Sequence, residues 1–131
     1  MHLHAALITV LTTIVLFFAS ALVGRARGKF GIQAPATSGH PDFDRAFRAH
    51  MNTLEQAVIF LPVLWLATTY NNEMVAAYFG YAWIVGRLWY ILGYAKETSK
   101  RNMGFLVTAL CFFALLVMSL WGIGHALMTA P

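Results

Sequence analysis

Residues Leu3 to Val23 form an unbroken run of 21 side chains without an Asp, Glu, Lys or Arg. As a helix, that run is long enough to cross a bilayer core, which takes about 20 apolar residues. Lipid offers no water to backbone N–H and C=O groups, so a single segment inside it satisfies them along itself, as a helix. Three further apolar segments follow, at about Phe43–Thr69, Met74–Tyr94 and Phe105–Met128. Only 11% of the residues are charged, against about 25% in a soluble domain. The sequence therefore predicts an all-α membrane protein. Its architecture is a four-transmembrane-helix bundle of up-down topology, with residues 1–131 as one domain. Ala19-Ser20-Ala21 has the small residues of a signal cleavage site, but Met1-His2-Leu3-His4 lacks the Lys or Arg that would precede one. The first segment is expected to be a retained helix.

The connections read as follows. Gly24 to Asp44 is a loop, punctuated by Gly24, Gly28, Pro35 and Ser38-Gly39-His40-Pro41-Asp42. Asp42 or Asp44 is expected to cap the second helix. Pro62 lies inside that helix and is tolerated there. Tyr70-Asn71-Asn72-Glu73 is a tight connection, and Gly104 is placed to end a helix.

Charge gives an orientation. The loops at 24–44 and 95–104, with the start of the second helix, hold eight of the nine basic residues. The other side, with both termini and the 70–73 turn, has no Lys or Arg. By the positive-inside rule the basic loops are cytoplasmic and both termini are non-cytoplasmic. The basic clusters are too short for a nucleic-acid surface. One cysteine, Cys111, and five scattered histidines without metal-ligand spacing argue against a disulfide framework or a metal site.

The chemistry lies in two polar stripes. Arg45, Arg48, Asn52 and Glu55 fall at i, i+3, i+7 and i+10, one face of the second helix. Arg87, Tyr90, Tyr94 and Arg101 share one face if the third helix extends to Arg101, as the helix formers at 95–101 suggest. Ionisable groups at membrane depth are costly and usually face a bundle interior or a wet cavity. A plainer reading is open for each: an Arg–Glu pair that only fixes packing, and an Arg101 that only snorkels to the interface. Converging arginines suit a small anionic ligand, because guanidinium binds carboxylate in a bidentate manner. A glutathione-sized thiol with two carboxylates fits. A free thiol with a pKa of about 8.5 is only a few per cent thiolate at pH 7. Lowering that by about two units requires roughly 2.7 kcal/mol. One arginine about 4 Å away, at an effective dielectric near 20, attracts by about 4 kcal/mol before desolvation is subtracted.

Arg45-x-x-Arg48-Ala-His50-x-Asn52-x-x-Glu55, Pro62, Gly86-Arg87-x-x-Tyr90-x-x-Gly93-Tyr94 and Arg101, in that order, resemble the MAPEG family. These are membrane-associated proteins in eicosanoid and glutathione metabolism, and the likeness is to the microsomal glutathione transferases. It runs from about Arg27 through Arg101 and includes the four-span layout. The resemblance implies a homotrimer in the lipid bilayer, with glutathione as co-substrate between neighbouring protomers at the cytoplasmic side. It implies Arg27, Arg48, His50, Asn52, Glu55, Arg87, Tyr90 and Tyr94 as glutathione contacts, and Arg101 as the residue that activates the thiol. Small lipophilic electrophiles would reach the sulfur from the bilayer. Gln56 stands where leukotriene-forming members have tyrosine, and Thr53 where prostaglandin E synthase-type members have aspartate.

Three functions are weighed on this basis. The first is glutathione conjugation to lipophilic electrophiles, with glutathione peroxidase activity as a possible companion. The second is a non-catalytic lipid- or glutathione-binding protein of the same family, against which Arg101 and both tyrosines count. The third is a small four-helix drug/proton exporter using Glu55. Arg48 and Arg87 beside its path would repel a cationic substrate.

Overall fold

A computed structural model describes residues 1–131. It holds α1 (Leu3–Phe30), α2 (Pro41–Tyr70), α3 (Glu73–Lys96), a 3₁₀ turn (Thr98–Arg101) and α4 (Asn102–Thr129). All four helices are long and apolar enough to cross a membrane. Their outward faces carry large apolar side chains, among them Phe17, Val58, Val85 and Phe113. Such surfaces would be a liability in water and match a lipid solvent.

The first loop is shorter than the sequence suggests. α1 does not stop at Gly24 but runs on to Phe30. Arg, Ala and Lys in this stretch are good helix formers, and each glycine costs only about 1 kcal/mol. The stop is Gly31, whose φ of 67° is the left-handed conformation that glycine adopts at a helix end. The cap of α2 also differs. His40 holds the cap position, and its Nδ1 accepts the Asp42 N–H at 3.1 Å. Pro41 opens the helix, where its missing N–H costs nothing. Asp44 instead turns back to accept the Gly39 N–H at 3.1 Å. Asp42 pairs with Arg45.

The bundle core is built from ring stacking and small side chains. Phe60 on α2 lies flat against Trp83 on α3, with centroids 3.9 Å apart. Ala67, Ala76 and Ala77 let the backbones around them approach. Gly104 does not end a helix. It lies inside α4 and lets α4 pack against α3, since a Cβ there would sit 2.5 Å from the Tyr90 backbone nitrogen. α2 runs unbroken through Pro62. Ser119 ties α4 to α2 by donating to the Val63 carbonyl at 3.1 Å.

The third helix departs most from expectation. It ends at Lys96, so Arg101 is not on its continuing face. Glu97 is extended (φ −158°, ψ 139°), and the 3₁₀ turn then folds back on α3. The Ser99 hydroxyl donates to the Glu97 carboxylate at 3.1 Å and competes with helical continuation. Gly93 makes room: a Cβ there would lie 2.4 Å from the Lys100 carbonyl oxygen.

Candidate active site

At the basic end, α2, α3, the 3₁₀ turn and α4 enclose an open cavity of about 340 Å³. Asn52, Tyr90, Arg101, Asn102 and Phe105 line it. Three of these, Asn52, Tyr90 and Arg101, belong to the expected stripes. Asn102 and Phe105 were not anticipated; they follow Arg101 directly but carry no chemical signature in the sequence.

The two stripes meet through hydrogen bonds and rings. Arg48 donates from a terminal nitrogen to Asn52 Oδ1 at 3.1 Å, one helical turn on. Asn52 Nδ2 donates to the Tyr90 hydroxyl at 2.8 Å, crossing from α2 to α3. That hydroxyl keeps its own proton free to donate. Tyr90 and Tyr94 meet edge to face at 5.6 Å. The Arg101 guanidinium lies over the Tyr94 ring, 4.9 Å from its centroid. A turn rather than a helical face therefore brings Arg101 to the second stripe.

Arg87 stands behind this wall. It is 1% exposed and does not line the cavity. Its Nε donates to the Thr53 hydroxyl at 2.9 Å, and a terminal nitrogen reaches the Thr108 hydroxyl at 3.4 Å. Its guanidinium faces the Tyr90 ring at 3.8 Å. Thr53 donates in turn to the Ala49 carbonyl at 2.7 Å, which aims its lone pairs at Arg87. Thr108 lies across the bundle, and nothing in the sequence pairs it with Arg87.

The remaining expected residues sit apart from the cavity. Arg27 donates to the Ala36 carbonyl at 2.7 Å and lies over the Phe43 ring at 4.9 Å, fastening the 31–40 loop. His50 is half-buried without a side-chain partner, and Glu55 is exposed on the surface. Glu55 makes no ion pair, so the packing-only Arg–Glu pair is not formed within the chain. Arg45 is the one arginine with a carboxylate partner, Asp42. Arg48, Arg87 and Arg101 have none. Uncompensated guanidinium groups around a wet cavity can bind an anion without first breaking an existing pair.

The sequence profile of the MAPEG family matches residues 5–121. An uncharacterised protein of Synechocystis sp. is 43% identical over 121 residues, covering 92% of this chain and 88% of the relative. Microsomal glutathione S-transferase 2 of Bos taurus is 43% identical over 83 residues, or 63% of this chain and 57% of the relative. Leukotriene C4 synthase of Rattus norvegicus is 34% identical over 118 residues, or 90% of this chain and 79% of the relative.

Proposed function

This chain belongs to the MAPEG family, and we propose that it is a membrane-embedded glutathione transferase acting on small lipophilic electrophiles. The observation that carries the reading is the cavity of Asn52, Tyr90 and Arg101, bordered by arginines that lack carboxylate partners. Relatives named as a glutathione transferase and as leukotriene C4 synthase support it. Glutathione enters as co-substrate.

The reading gives each residue of the two stripes, with Arg27 and His50, a role. Arg48 pairs with a glutathione carboxylate, and Asn52 orients it. Glu55 attracts the α-ammonium. Arg27 and His50 border the ligand from the end of α1 and the first half of α2. Tyr90 and Tyr94 donate hydroxyl protons. Arg87 belongs to the same binding set but acts from behind, holding the Tyr90 ring and adding positive potential to the cavity. Arg101 stabilises the thiolate. The thiol proton leaves to solvent, the sulfur lone pair attacks the electrophilic carbon, and the leaving group departs with the displaced electron pair. The same thiolate can attack a hydroperoxide oxygen, breaking the O–O bond and releasing the alcohol; a second glutathione then reduces the sulfenic acid to glutathione disulfide and water, which makes glutathione peroxidase the second activity to assay.

A single protomer leaves Arg48 and Glu55 at its surface. Intramembrane charge is shielded better at an interface than on one thin bundle. We take the working unit to be the homotrimer that the family resemblance implies, with the ligand between neighbours, at the cytoplasmic side that the basic loops define.

Isothermal titration of glutathione against the detergent-solubilised protein tests the reading. Binding is expected for the wild type, and weaker binding for Arg48→Ala and for Glu55→Ala. Absence of binding to the folded wild type would overturn the function. Unchanged affinity in both variants would reduce the stripe to a packing feature.

A further inference from the structure

We propose that a groove among the end of α1, the start of α2 and the end of α3 binds the headgroup of an anionic phospholipid. The groove holds about 600 Å³ and shares no lining residue with the cavity of Asn52, Tyr90 and Arg101. It does not depend on the catalytic reading.

Depth comes first. Leu3–Val23 spans the hydrocarbon core, so the remaining turns of α1 extend roughly 10 Å beyond it at 1.5 Å per residue. Arg25 and Lys29 then stand at headgroup level. Lys96, at the end of α3, faces the same groove. These three cations have no carboxylate partner. The one acid in the groove, Asp42, is already paired with Arg45. The rim is therefore a set of unneutralised cations around a neutral pair. Lys100, at the same end of the bundle, differs by lying 4.0 Å from Glu97.

The floor decides for a lipid over a free anion. Ala26, Ala46 and Ala95 line the groove with the cations, and their small side chains leave room in it. Leu22 continues the floor toward the membrane, and Phe18 lies one turn below on the same face of α1. A phosphodiester at the rim would send its acyl chain along this surface. A soluble anion would leave it wet. Basic residues next to a membrane attract anionic headgroups by an amount worth roughly fivefold in binding per cation.

Native mass spectrometry of protein equilibrated with equimolar phosphatidylglycerol and phosphatidylcholine is the test. Preferential retention of phosphatidylglycerol is expected. The triple variant Arg25→Gln/Lys29→Gln/Lys96→Gln should lose roughly a hundredfold of that preference, and the single Lys96→Gln a smaller share. Ala95→Leu keeps every charge but fills the floor, and it should also release the lipid. Lys100→Gln should retain it. Equal retention of the two lipids, or wild-type retention by Ala95→Leu, would overturn the site and leave only diffuse attraction. Displacement by excess inorganic phosphate would overturn the lipid and leave a small-anion site.

Discussion

The residue with the sharpest task is Arg101. Its guanidinium is half-buried over Tyr94 at 4.9 Å, and no carboxylate holds it. If it stabilises the thiolate, Arg101→Ala should leave glutathione affinity nearly intact while the bound thiol's pKa rises toward the free value. The loss should reach about 2.7 kcal/mol, or roughly a hundredfold in the thiolate-to-thiol ratio. Ultraviolet absorbance of the thiolate, titrated against pH with glutathione bound, reads this directly. Lys100→Ala is the control, because its ammonium lies by Glu97 rather than at Tyr94. Superimposable titrations of wild type and Arg101→Ala would remove Arg101 from the mechanism.

At the scale of elements, the turn between α3 and α4 does what the helix was expected to do. Glu97 breaks the helix, and the 3₁₀ segment returns Arg101 to Tyr94. The return depends on Gly93, where a Cβ would meet the Lys100 carbonyl at 2.4 Å. Gly93→Ala should therefore displace the turn, although alanine favours the helix itself by about 1 kcal/mol. We expect helical circular dichroism to hold and the conjugation rate to fall. Gly124→Ala, whose Cβ would meet nothing within 4 Å, should leave the rate unchanged. A wild-type rate in Gly93→Ala would show that the turn does not orient Arg101.

The whole molecule raises two questions of arrangement. Epitope tags at either terminus should be reached from the non-cytoplasmic face of intact cells, since the basic loops lie at the opposite end. A cytoplasmic terminus would reverse the orientation. Light scattering of the detergent-solubilised protein, corrected for detergent, should return three copies. A monomer that binds glutathione with full affinity would rule out a site shared between protomers.

The sequence by itself determined the four spans, because an unbroken apolar run in lipid has one backbone solution. It determined which end of the bundle is basic, because charge in short loops is read without a fold. It also determined that Arg48 and Asn52 face each other one turn apart, because spacing on one helix is a local property. Only the structure decided that α1 stops at Gly31 rather than Gly24, since the stretch between them mixes helix formers with glycines and Gly31 is the one that adopts the left-handed conformation. It also decided that Arg87 stands behind Tyr90 while Arg101 lines the cavity. The spacing in the sequence puts both arginines on one stripe. What separates them is Thr53 and Thr108 on two other helices, and a turn folded back over Gly93. Those are contacts across the bundle, and periodicity along one helix carries no information about them.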